Sequence, residues 1–243
     1  MLSTQGFFGI QCYGITRFPD SGEFMLILDY MEYGSLNDFL ECKEKKFTWK
    51  EIYFLLRQIF KELTLIHVND IVHKDLHPGN ILSDQRGWFI SDLGLCGSAD
   101  KNPADKVFGI MPYIAPEVLF DKKYTPSADI YSMGIIMWQL ITRCIPFHDR
   151  EFNFLLASDI KKGLRPPPIF GLHPDYEHIM KRCWDDEPSR RPEARGLFSY
   201  FDKKLNQMYK GEYVLQDLEF DFTSYLSDNH MMTRLTMLVN MYK

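Results

Sequence analysis

The chain has no dense basic block, no closely spaced cysteines, no apolar run long enough to cross a bilayer and, before Lys43, no lysine at all. Its net charge is −5, and without clustered cations on one face this argues against a nucleic-acid partner. Cys12, Cys42, Cys96, Cys144 and Cys183 each lie at least 30 residues from the next, so none has the spacing of a metal chelate or a redox pair. They read as reduced, packed thiols of the cytosol. No positive region precedes the apolar Phe7-Phe8-Gly9-Ile10, and the apolar stretch from Ile130 to Thr142 is closed by Asp129 and Arg143. Neither fits a signal peptide or a membrane span, so a cytoplasmic protein without a membrane partner is expected.

What is present suffices for a large core, since 45% of the 243 residues are apolar. The runs Cys12 to Thr16 and Phe24 to Tyr30 flank Phe18-Pro19-Asp20-Ser21-Gly22, whose Pro, Asp and Gly favour a reversal, so a strand hairpin is expected. Thr48 with Glu51 forms a capping-box signal for a long helix, on which Ile52, Leu55, Ile59, Leu63 and Ile66 make one apolar face. A second small hairpin is expected from Ile81-Leu82 and Trp88-Phe89-Ile90, which puts Asn80 and Asp92 at adjacent strand ends. From Glu117 onward the pattern is helical, with a central helix at Ser127 to Thr142 and others at Phe152 to Lys162, Tyr176 to Trp184 and Pro192 to Tyr209. Arg165-Pro166-Pro167-Pro168 cannot continue a helix. The segment 211–243 reads as a tail packed back on the helical part, with partner binding as the alternative.

The run His73-Lys74-Asp75-Leu76-His77-Pro78-Gly79-Asn80, followed by Asp92-Leu93-Gly94 twelve residues after Asn80, carries the chemistry. Phosphoryl transfer from a nucleotide needs a carboxylate beside the attacking hydroxyl, and an amide oxygen with a second carboxylate to hold magnesium on the phosphates. Asp75, Asn80 and Asp92 supply those groups in that order. By itself the short pattern would also suit a small-molecule phosphotransferase.

Further motifs narrow the choice. Gly109-Ile110-Met111-Pro112-Tyr113-Ile114-Ala115-Pro116-Glu117, Asp129-Ile130-Tyr131-Ser132-Met133-Gly134, Arg182-Cys183-Trp184 and Arg190-Arg191-Pro192 follow in order. Over about residues 7 to 209 the chain resembles the eukaryotic protein kinases, most closely the tyrosine-kinase-like group. The resemblance implies an α+β, mainly helical fold: a helical C-terminal lobe with a remnant hairpin of the N-terminal lobe. It implies a hairpin-and-hinge part at 1–32, a helical lobe at 33–210 and a tail at 211–243. ATP and Mg2+ are the implied cofactors and a protein substrate or signalling partner the implied target, with serine or threonine as acceptor. Asp75 matches the residue that orients and deprotonates the substrate hydroxyl, and Asn80 and Asp92 match the metal ligands. Leu28 matches the gatekeeper beside the adenine pocket, Asp29 to Met31 the hinge, and Leu82 the pocket floor. Glu117 paired with Arg191 is implied to anchor the activation segment, and Asp129 to hold the catalytic-loop backbone.

His73 matches a packed position in that family, whereas His77 stands where many serine/threonine kinases carry a lysine and is assigned a supporting catalytic role. The chain departs from the pattern in several places. Leu93 replaces phenylalanine, and Lys74 replaces an arginine, losing its planar fork. Ile110 replaces a threonine, and Ser98 is the only hydroxyl residue between Leu93 and Pro112. No glycine-rich phosphate loop and no phosphate-clamping lysine can be assigned, because Gly6, Gly9 and Gly14 lack the spacing and the first lysine is Lys43. The chain as written is therefore expected to be weak or inactive, with a pseudokinase or scaffold as the alternative. Phe7, Phe8, Ile15, Phe24 and Leu26 are expected to lack cover.

Overall fold

The structure, a computed structural model, describes residues 9–42, 44–92, 97–98 and 109–215. Strands β1 (Cys12–Arg17) and β2 (Phe24–Leu28) pair antiparallel as the expected hairpin. Its loop closes through the Phe18 N–H on the Glu23 carbonyl and the Gly22 N–H on the Phe18 carbonyl, with Gly22 at φ 71. The hairpin buries little: Ile15, Phe24 and Leu26 are 67, 70 and 62% exposed. Phe7, Phe8, Leu93 and Cys96 lie outside the described residues, as does the tail beyond residue 215.

The helical body explains why the rest folds. Helix α2 (Trp49–Val68) begins at Thr48, whose hydroxyl accepts the Glu51 N–H while the Glu51 carboxylate accepts the Thr48 N–H. Ile52, Leu55, Ile59, Leu63 and Ile66 are all buried along it. They face α7 (Ala194–Tyr209), where Phe60 stacks on Phe201 at 5.6 Å and Tyr53 meets the same ring edge-on at 5.2 Å. Helix α4 (Pro126–Thr142) is buried at every residue from Ala128 to Thr142, which suits a sequence apolar on all sides. Three of its buried polar side chains find partners, Ser132 donating to the Tyr113 carbonyl, Gln139 accepting from Tyr113 and Thr142 donating to the Trp138 carbonyl, while the buried Tyr131 hydroxyl has none among the described residues. A Cβ on Gly134 would lie 2.9 Å from that of Cys183, so the glycine permits the close approach of α6 (Pro174–Cys183).

Helix α3 (Pro116–Asp121) and helix α5 (Phe154–Lys161) complete this body. Asn153 is extended and accepts the Leu155 and Leu156 N–H groups, so α5 starts at residue 154 rather than the expected 152. Pro166 to Pro168 run without helix, as expected, and the Trp138 indole donates to the Pro167 carbonyl at 2.8 Å. One helix was not anticipated: α1 (Leu36–Glu41), capped by Ser35 and Asp38. Its terminal carbonyls at Phe39, Leu40 and Cys42 accept from the Arg143 guanidinium, a residue about a hundred positions later.

Two small sheets bracket the segment from His73 to Asn80. In the first, β3 (Gly34–Ser35), β5 (Ile81–Asp84) and β6 (Gly87–Ile90) lie in the order β3, β5, β6, and the expected second hairpin is the β5 to β6 pair. In the second, β4 (Ile71–Val72) pairs with β7 (Gly97–Ser98). Past α7, Tyr213 folds back onto His173, Tyr53 and the Lys204 ammonium, so the tail's first residues do pack on the helical body. No helix among the described residues is long and apolar enough to cross a membrane. Cys12, Cys42, Cys144 and Cys183 are free thiols.

Candidate active site

Asp75 and Asn80 are brought together by the loop between β4 and β5. The Asn80 Nδ2 donates to the Asp75 carbonyl at 2.9 Å and reaches its carboxylate at 3.4 Å. With the nitrogen so committed, the amide oxygen is the atom of this side chain whose lone pairs could face a cation. Asp92 follows β6 by two residues, and the Ser91 N–H donates to the Asn80 carbonyl at 2.9 Å, tying the two candidate metal ligands through one backbone bond. Asp92 and Asp75 both act electrostatically on His77, so the three predicted groups and the histidine share one neighbourhood.

The loop is held from beneath. Asp129 is buried on α4, and its carboxylate accepts the His73 and Lys74 N–H groups at 2.9 and 3.1 Å and contacts His67 Nε2 at 2.9 Å. Lys74 has φ 74 and Asp92 φ 55, left-handed conformations that cost free energy in a non-glycine residue and persist only where the surroundings enforce them. His73 is fully buried; its Nδ1 accepts the Asp75 N–H, so its Nε2 donates to the Ser91 carbonyl at 2.9 Å. It is a fastener between the two loops, as its packed position suggested.

His77 is built differently. Its Nδ1 accepts the Gly79 N–H at 3.1 Å, which leaves the proton on Nε2, 3.8 Å from the Asp75 carboxylate. Burial lowers its pKa, outweighing the attraction of Asp75 and Asp92, so the imidazole is neutral near pH 7. Gly109 lies against Asp75: a Cβ there would come 3.2 Å from the carboxylate. Beyond it, Arg191 is buried and grips Glu117 with both terminal nitrogens, at 2.6 and 2.9 Å, while donating to the Ser127 and Asp185 carbonyls.

The predicted nucleotide residues take distinct positions. Leu28 ends β2 and is half-exposed; Met31 is buried; Leu82 sits in the middle strand β5 opposite Ser35 and Phe89. The Asp29 side chain is occupied by Arg86 at 2.8 Å and Tyr13 at 2.6 Å, and these bonds hold its carboxyl below the ordinary range. Only its backbone is left to serve as a hinge, and the N–H of that backbone already donates to the Gln11 carbonyl. Ser98 lies in β7 opposite Ile71. A cavity of about 570 Å³ lies away from Asp75, between Pro166 to Pro168 and Trp184, and carries none of these groups.

Residues 10–201 match the family described as protein kinase domain. The chain belongs to the protein kinase family. Its relatives include the serine/threonine/tyrosine-protein kinase HT1 of Arabidopsis thaliana, 29% identical over 74% of this chain and 47% of that protein. A probable serine/threonine-protein kinase of Dictyostelium discoideum is 31% identical over 85% of this chain and 15% of its own length. The serine/threonine-protein kinase STY17 of Arabidopsis thaliana is 27% identical over 80% of this chain and 33% of its own. The chain thus spans at most about half the length of these relatives.

The donor set suits the divalent cation that protein kinases use. An amide oxygen and a carboxylate are hard oxygen ligands, and Mg2+ is commonly held by one or two such groups with phosphate oxygens completing its shell. No group of three or more His, Cys, Asp or Glu that could hold a metal ion gathers among the described residues. Sequence reasoning missed Gln58, Glu62 and Arg86. Glu62 had left a signal, a carboxylate within the apolar stripe of α2 between Ile59 and Leu63.

Proposed function

We propose that this chain is the catalytic part of a serine/threonine protein kinase that transfers the γ-phosphate of ATP to a protein hydroxyl. The observation that carries the reading is the Asn80 amide bonded to Asp75 and tied through Ser91 to Asp92. Asp75 orients the substrate hydroxyl and takes its proton as the new oxygen–phosphorus bond forms and ADP departs. Asn80 and Asp92 hold Mg2+, which when bound neutralises charge on the phosphates. Neutral His77 supports Asp75 with its Nε2–H, and Leu28, Met31, Leu82 and the Asp29 backbone border adenine. The free, widely separated thiols fit a cytoplasmic setting.

These 243 residues alone are proposed to turn over weakly, because residues 1–42 contain no lysine to grip the phosphates. Losing one well-aimed donor costs roughly 10²- to 10³-fold in rate. A non-catalytic scaffold is the second reading, favoured by the exposed apolar side chains of the β1 to β2 hairpin. Phosphate transfer to a generic protein substrate is measured for the chain joined to a segment that supplies such a lysine, with Asp75→Asn beside it. Transfer lost in Asp75→Asn supports the kinase; equal signal in both proteins sinks it. A thermal shift with millimolar Mg-ATP that vanishes in Asp92→Ala excludes the scaffold that binds no nucleotide.

A further inference from the structure

Strand β6 lies at the edge of its three-stranded sheet, so the N–H groups facing away from β5 have no strand to receive them. Two of them end on side chains of helix α2. The Trp88 N–H donates to the Gln58 amide oxygen at 2.9 Å and the Ile90 N–H to the Glu62 carboxylate at 2.7 Å, while the Gln58 amide nitrogen, Nε2, donates to the Arg86 carbonyl at 3.3 Å. The spacing follows from geometry: four helical residues rise about 6.0 Å and two strand residues about 6.8 Å. A helix can therefore present acceptors at i and i+4 to alternate amides of an adjoining strand.

Two glycines make room for this. A Cβ on Gly87, which has φ +133, would lie 2.3 Å from the Gln58 amide, and one on Gly9 would lie 2.5 Å from the Glu62 carboxylate. The Gly9 N–H is a second donor to Glu62, so one buried carboxylate joins the start of the first hairpin to the strand that leads into Asp92. Residues Ile90 and Ser91 are consequently held at three points: the Ile90 N–H by Glu62, the Ser91 N–H by Asn80 and the Ser91 carbonyl by His73. The next residue is Asp92, in the left-handed conformation. A free strand edge would let that residue relax to an extended backbone and re-aim its carboxylate.

We propose that Gln58 and Glu62 are positioning residues: α2 acts as a surrogate strand that fixes β6 and thereby aims Asp92 at the cation. The positioning role rests on the reading of Asp92 as a cation ligand; the clamp itself does not.

The test uses the full chain with Glu62→Met, which keeps the length of the side chain and removes its acceptor oxygens, and Gln58→Leu as a second variant. ADP affinity is measured with Mg2+ and again in EDTA, with Asp92→Asn as reference, and amide hydrogen exchange is followed at Trp88 and Ile90. Loss of a supporting residue behind a metal ligand should weaken the Mg2+-dependent affinity roughly tenfold and leave the EDTA value unchanged. Faster exchange at Ile90 in Glu62→Met and at Trp88 in Gln58→Leu supports the clamp. Variants that keep the wild-type Mg2+ dependence, or that lose affinity equally in EDTA, overturn the positioning role. If the wild-type chain shows no Mg2+-dependent ADP affinity, the reading of Asp92 fails and the positioning role with it. Unchanged exchange at Ile90 in Glu62→Met overturns the clamp in either case.

Discussion

The catalytic loop and the β1 to β2 hairpin are held by opposite means. Beneath the loop, Asp129, Arg191 and His73 are buried and every bond they make replaces water with a protein partner. The hairpin has little apolar cover and is joined to the body by polar contacts: Asp29 to Arg86, Glu32 to Gln85, and the Gly9 amide to Glu62. The difference teaches where stability resides. Buried polar groups that lose a partner cost far more than exposed ones, so the catalytic loop should fail through single substitutions that the hairpin would tolerate.

The largest expected effect is at Arg191. Arg191→Ala leaves the Glu117 carboxylate and two carbonyls without their donor, and breaking a buried pair this way costs about 3 to 5 kcal/mol. Denaturant titration should show that loss, and a drop below about 1 kcal/mol would refute the anchoring role. Asp129→Asn comes next. One of its two oxygens becomes an amide NH2 facing an N–H donor, so the cost is about 1 to 3 kcal/mol, and ADP affinity should fall with it because the His73 to Asp75 backbone loses its fixed point.

A third effect follows from Glu62. Burial pushes its pKa from 4.5 up to about 7, against the two backbone N–H donors and the field of Lys61, which lower it. The folded state therefore binds this proton more tightly than the unfolded chain. The contribution to stability is fully present below about pH 4.5, declines as pH rises and is lost above about 7. His77 works in the opposite sense, because its lowered pKa removes stability as pH falls through 6.5. The signature is accordingly a difference: unfolding free energy of the wild type minus that of Glu62→Gln should fall between pH 4.5 and 7. A flat difference would mean that Glu62 is not buried as described.

Much of the loop was readable in the chain, because chemistry fixed residue types at short spacings: Asp75, Asn80 and Asp92 are found together, as are Glu117 with Arg191. Helix α2 was readable for a local reason, since its cap and its apolar stripe lie within twenty residues. Helix α1 was not. It has six residues, too few for a periodic signal, and its carbonyls are satisfied by Arg143 from the far end of α4. The pairing of β4 with β7 rests on two residues each and arises only when distant segments meet. Glu62 was visible as a misplaced charge, but its partners at Ile90 and Gly9 required the tertiary structure. The Asp29 carboxylate lay in the proposed hinge, and nothing local indicated that Arg86 would take it.

The smallest effect sharpens the contrast from the other side. Leu26 is 62% exposed in β2, so Leu26→Lys removes little buried surface and should alter the unfolding free energy by no more than about 0.5 kcal/mol. Its consequence lies elsewhere, since a charge placed on an exposed apolar strand opposes edge-to-edge association. Light scattering at rising protein concentration should therefore show less self-association in Leu26→Lys, while denaturant midpoints coincide. A destabilisation of 2 kcal/mol or more would show that the hairpin face is covered in solution, and the contrast between a buried catalytic loop and a bare hairpin would then collapse.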